Sequence, residues 1–122
     1  MKVGVIGLGT MGMGAARNLL AKGHAVTGCD VAEAARAVFV AAGGQAVAEP
    51  AGLPSDLEAV LVLVVNAAQE EAVLFGPNGC VPRLRRDSVV ICSTTVAPEF
   101  ARAMEGRLNA AGLLMLDAPV SG

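Results

Sequence analysis

KVGVIGLGTMGMGAARNLL, residues 2–20, is the stretch from which the rest of this 122-residue chain can be read. Val3 to Ile6 is a short run rich in β-branched residues, of a length that suits a buried strand. Gly7, Gly9 and Gly12 follow it. From Met11 onward Gly12, Ala15, Ala16, Leu19 and Leu20 recur at helical spacing, with Arg17, Asn18 and Lys22 turned the other way. Strand, glycine turn and helix in this order are what a pyrophosphate needs. The first glycine turns the chain sharply, the second lets backbone approach the phosphates, and the third lets the helix pack closely on the strand. The N–H groups of the first helical turn then face the phosphates, helped by the partial positive charge at that end. Gly7, Leu8, Gly9, Thr10, Met11 and Gly12 are therefore cofactor-binding candidates. Ordinary turns are the competing explanation in a chain with 15 glycines, and the position between a strand and a helix argues against it.

Downstream, Gly23 stops the helix, and Ala25 to Asp30 (AVTGCD) reads as a second strand. His24, in the turn between them, is read as structural. Asp30 lies roughly 20 residues beyond the glycine turn, where a carboxylate accepts hydrogen bonds from the adenosine ribose hydroxyls. The same charge repels a 2′-phosphate, and Val31 and Ala32 offer no cation to receive one, so NAD is favoured over NADP. Capping of the helix that starts near Ala32 is an alternative role for Asp30, compatible with the first. A second helix over 32–42 closes at Gly43 and Gly44, and Gln45 to Val47 forms a short third strand. Glu58 to Val65 (EAVLVLVV) has no polar alternation, as befits a central parallel strand buried on both faces. Residues just past its carboxyl end fall in the crevice where open α/β sheets bind ligands, which makes Val65, Asn66 and Gln69 candidates for the nicotinamide side. Capping is the rival role for Asn66. Ser88 to Cys92 is a fifth strand with the hydroxyls of Ser93, Thr94 and Thr95 at its carboxyl edge, a helix runs from Pro98 to about Ala111, and Leu113 to Leu116 begins a sixth strand. The expected architecture is an α/β Rossmann domain over residues 1–122, a doubly wound parallel sheet of about six strands with no second domain in this chain.

Composition narrows the partners. The chain is 54% hydrophobic and 16% charged with a net charge of −2, which suits a sheet covered on both faces. With 2% aromatic residues it has neither the basic footprint nor the stacking platform of a nucleic-acid binder. Cys29, Cys80 and Cys92 form no C-x-x-C pair, and an odd number of cysteines in a chain with a good core indicates free thiols and a cytoplasmic setting. The longest apolar run, Ala59 to Val65, is far short of the ~20 residues of a membrane helix, so no membrane partner is expected.

Several motifs together resemble the 3-hydroxyisobutyrate dehydrogenase, or β-hydroxyacid dehydrogenase, family related to 6-phosphogluconate dehydrogenase. They are VIGLGTMGMGAARNLL from Val5, Gly23–His24, Asp30, FGPNG at Phe75 to Gly79, STTVAP at Ser93 to Pro98 and DAPVSG at Asp117 to Gly122. They span the chain, and DAPVSG is the most specific. The resemblance implies that Thr95 contacts the cofactor and that Ser121 and Gly122 touch a small hydroxy-acid substrate. Val65-Asn66 stands where many members carry Leu-Pro, which looks closest to the subgroup of L-threonate dehydrogenases. The family's catalytic lysine and its helical domain are expected beyond Gly122, so no catalytic residue is assigned within this chain. The chain is then the cofactor half of a longer enzyme, a homo-oligomer when full length. Rival readings are an S-adenosylmethionine-dependent methyltransferase domain and a non-catalytic NAD(H)-sensing module.

Overall fold

The computed structural model describes residues 1–119. Its elements, in chain order, are β1 (Lys2–Ile6), α1 (Thr10–Ala21), β2 (Ala25–Cys29), α2 (Glu33–Ala41), β3 (Gln45–Val47), β4 (Ala59–Val62), α3 (Ala67–Phe75), β5 (Val89–Cys92), α4 (Pro98–Ala110) and β6 (Leu114–Asp117). Short 3-10 turns, Pro50–Gly52 and Val81–Arg83, lie in the connections. The strands form one six-stranded sheet in the order β3-β2-β1-β4-β5-β6, and every neighbouring pair is parallel. This is the order of doubly wound nucleotide-binding sheets, whose direction of winding reverses between β1 and β4.

The period of two along β1 divides the interior. Val3 and Val5 join Leu8, Ala16, Val26 and Phe39 in a core under α1 and α2. Ile6 faces the other way, into a core with Val60, Val62, Leu74, Val90 and Leu108 under α3 and α4. Glycines thin the sheet where helices come close: a Cβ at Gly28 would stand 2.9 Å from Leu8 Cδ1 and 3.0 Å from Phe39 Cδ2. On the second face, Arg107 ties α4 to α3, its guanidinium 4.0 Å over the Phe75 ring and its Nη1 donating to Glu71 Oε2 at 2.6 Å. Among the described residues no helix is long and apolar enough to cross a membrane.

The strands differ from the sequence reading chiefly at their ends. The apolar run 58–65 pairs as a strand only over Ala59–Val62. Beyond it the N–H of Leu63 still donates to Ile6 O at 2.9 Å, but those of Val64 and Val65 donate to side chains, Thr94 Oγ1 and Gln69 Oε1, each at 3.0 Å. Hydrophobicity alone does not report that exchange. Strand β2 likewise stops at Cys29, which leaves Asp30 as the first residue of the turn.

Candidate functional site

The carboxyl ends of β1, β2, β4 and β5 open onto one crevice of about 720 Å³, within the range of small-molecule sites. Gly7, Gly9, Thr10, Met11 and Gly12 line it on one side, Asp30 and Val31 at one end, and Val65, Gln69 and Thr95 on the far side. Residues separated widely along the chain thus meet at the switch point of the sheet.

The three glycines of the turn have three different physical requirements. Gly7 has φ +99°, and a Cβ there would lie 2.0 Å from Leu63 O. A Cβ on Gly12 would lie 1.7 Å from Gly7 O, so α1 starts against bare backbone. Gly9 is different. Its φ is −69°, open to any residue, and a Cβ there would meet nothing within 4 Å. Nothing in the protein requires glycine at that position. The space a side chain would take belongs to the crevice, which is what close approach of a ligand to the backbone demands.

The start of α1 is also prepared for an anion. No side chain caps it and no acidic residue stands in its first turn, whereas α2, α3 and α4 carry Glu33, Glu70 and Glu99 there. Its positive end is thus open to an anion.

Asp30 faces this helix end across the mouth of the crevice. Its Oδ2 accepts from the N–H of Leu8 and its Oδ1 from the N–H of Ala32, both at 2.9 Å. Each carboxylate oxygen has a further lone pair for a hydroxyl. Leu8 does not line the crevice: its N–H is taken by Asp30 and its side chain is buried in the core beneath α1 and α2. The Asn66 side chain does not line the crevice; its Oδ1 caps α3 by accepting from the N–H of Gln69 at 2.9 Å. Ser121 and Gly122 lie outside the described residues.

Cys29 lines the crevice, but burial first, then the neighbouring Cys80 and Asp30, pushes its thiol up to about 12. Burial raises Cys80 and Cys92 to about 12 as well. All three are free, buried and protonated at neutral pH, so none serves as a nucleophile.

Three features carry roles that the sequence does not mark. Thr94 is the hydroxyl that ends the β4 ladder, although it was visible only as one of three at that edge. Arg36 reaches back to the turn at Asp30. Glu70 is fully buried, and both of its carboxylate oxygens lack a hydrogen-bond partner. The i, i+4 spacing of Glu70 with Leu74 was the available signal, since it puts the carboxylate on the buried face of α3.

Strand order, glycine turn, uncapped helix and a carboxylate at the crevice mouth together define a doubly wound dinucleotide-binding domain. The chain belongs to the family described as the NAD binding domain of 6-phosphogluconate dehydrogenase, whose model matches residues 2–122. L-Threonate dehydrogenase of Cupriavidus necator is 52% identical over 120 residues, covering 98% of this chain and 40% of its own length. The mitochondrial 3-hydroxyisobutyrate dehydrogenase of Homo sapiens is 31% identical over 120 residues, covering 98% of this chain and 36% of its own. A crystal structure of 3-hydroxyisobutyrate dehydrogenase from Salmonella typhimurium matches at a TM-score of 0.95 and 41% identity, covering 100% of this chain and 42% of that one. The chain therefore spans about two fifths of the length of these relatives. These matches favour a nicotinamide dinucleotide over the methyltransferase reading.

Proposed function

We propose that this chain binds NAD in preference to NADP, as the cofactor domain of an enzyme that oxidises a 3-hydroxy acid of the 3-hydroxyisobutyrate or L-threonate type. The observation that carries the preference is the Asp30 carboxylate, held at the crevice mouth by the N–H groups of Leu8 and Ala32. A fixed negative charge there accepts from ribose hydroxyls and opposes a 2′-phosphate. The substrate class is supported by the named relatives, L-threonate dehydrogenase first among them.

When bound, the dinucleotide supplies the ring that accepts a hydride. The chain's own residues bind and orient. Gly7, Gly9 and Gly12 with the first-turn N–H groups of α1 hold the pyrophosphate, and Asp30 holds the adenosine ribose. Val65, Gln69 and Thr95 flank the nicotinamide end. Ser121 and the backbone at Gly122 hold the substrate carboxylate, and a lysine outside this chain takes the hydroxyl proton as the hydride leaves the adjacent carbon. The assembled enzyme is cytoplasmic and homo-oligomeric in this reading.

Calorimetric titration of the chain with NADH and NADPH tests the cofactor assignment. NADH binds more tightly, and Asp30→Ala weakens NADH more than NADPH. Equal losses, or tighter NADPH binding by the unaltered chain, overturn it. Oxidation of any hydroxy acid by these 122 residues alone would contradict a lysine outside them.

A further inference from the structure

The turn after β2 holds a cation that lies outside the crevice. Arg36 is half-buried, one turn into α2, and its Nη1 donates to two main-chain carbonyls, Asp30 O at 2.9 Å and Val31 O at 3.0 Å. The same turn is held from other directions: the N–H of Asp30 donates to Val47 O at 3.2 Å, and its carboxylate accepts from Leu8 and Ala32. Asp30 and Val31 line the crevice, and Arg36 does not. The guanidinium therefore braces the turn from behind. Neither of the ion pairs among the described residues includes it, so its charge is directed at carbonyl dipoles rather than at a carboxylate.

Of the bonds that hold this turn, the two from Arg36 are the ones that a side-chain substitution removes without altering the backbone or the crevice wall. They are charge-assisted, which makes them the stronger kind. A filter based on one carboxylate works only if that carboxylate stays in place. A turn free to swing would carry Asp30 aside, losing the ribose hydroxyls and admitting a 2′-phosphate. Selection at such a site requires placement to within about 0.5 Å by groups outside the contact itself.

We propose that Arg36 is the positioning residue for nucleotide selection: by tying the carbonyls of Asp30 and Val31 to α2, it keeps the Asp30 carboxylate where it accepts an unphosphorylated ribose and rejects a phosphorylated one. This rests on the cofactor reading above. It differs from the usual role of an arginine near such a turn, direct contact with the phosphate, because Nη1 of this guanidinium donates to two carbonyls and the side chain stands outside the crevice.

The test uses the 122-residue chain, Arg36→Ala and Arg36→Lys, each titrated with NADH and with NADPH and each melted. Arg36→Ala weakens NADH about tenfold and NADPH less than about twofold, so the ratio of the two dissociation constants narrows. Arg36→Lys, which keeps the charge but lacks the fork, narrows the ratio part of the way, about threefold. A loss confined to NADPH makes Arg36 a phosphate contact and overturns the proposal. So do equal losses for both nucleotides that track the melting temperature. If Arg36→Ala does not fold, an unchanged ratio in Arg36→Lys overturns it. An unaltered chain that binds neither nucleotide overturns the cofactor reading itself, and this inference with it.

Discussion

Two turns on the same edge of the sheet solve opposite problems. The β1–α1 turn works by absence: glycines remove side chains, α1 has no cap, and Gly9 leaves room that no protein atom takes. The β4–α3 turn works by presence. Thr94 and Gln69 accept the N–H groups of Val64 and Val65, and Asn66 accepts that of Gln69 at the start of α3. One helix start is left without a side-chain cap, and the other is satisfied by its own chain. Helices α2 and α4 also lack a side-chain cap, but each carries a glutamate in its first turn, so α1 is the α-helix whose start combines no cap with no acidic residue among the described residues.

The sharpest way to break this contrast is to fill the first turn where backbone already touches backbone. Gly12→Ala puts a Cβ 1.7 Å from Gly7 O, and moving α1 away from the strand costs about 3 kcal/mol as well as cofactor binding. Denaturant midpoints and a NADH titration measure both; an alanine variant of unaltered stability would mean that α1 does not need the close approach.

The next effect belongs to the second turn. Glu70, in the first turn of α3, has its pKa raised from 4.5 to about 6, by burial first and then by Asp117. The folded domain therefore holds this proton more tightly than the unfolded chain, so the contribution of Glu70 to stability is most favourable below pH 4.5 and declines as the pH rises through about 6. The difference is worth about 2 kcal/mol. Glu70→Met removes the slope, so its urea midpoint exceeds that of the unaltered chain at pH 7 and the gap shrinks toward pH 4.5. Parallel pH profiles for the two proteins would show that Glu70 carries no such linkage.

Gly9→Ala sharpens the comparison, because its Cβ meets nothing within 4 Å. The variant keeps its melting temperature and loses about tenfold in NADH affinity, or about 1.4 kcal/mol. Affinity retained alongside stability would remove the pyrophosphate from this turn. Asn66→Ala is the mirror experiment and the smallest effect. Loss of the cap costs about 1 kcal/mol of stability and leaves NADH affinity unchanged, so a variant whose affinity falls would place Asn66 in the binding machinery.

The sequence by itself determined the architecture and the outline of the site. Six strand segments are interleaved with helices everywhere but between β3 and β4, β4 reads as buried on both faces, and the spacing from Gly7 to Asp30 suits a dinucleotide, because these are local patterns of period, glycine placement and charge. Gly12 and Asp30 could be named because backbone crowding and a carboxylate after a strand leave marks on single positions. Only the tertiary structure decided where each backbone N–H and buried charge finds its partner. That is why the end of β4 at Val62, the choice between the two roles read for Asn66, the brace from Arg36 and the unpaired carboxylate of Glu70 came from the fold. Each depends on groups brought together by strand pairing and helix docking, and no pattern along a single chain records which side chain will satisfy a backbone group brought near it by folding.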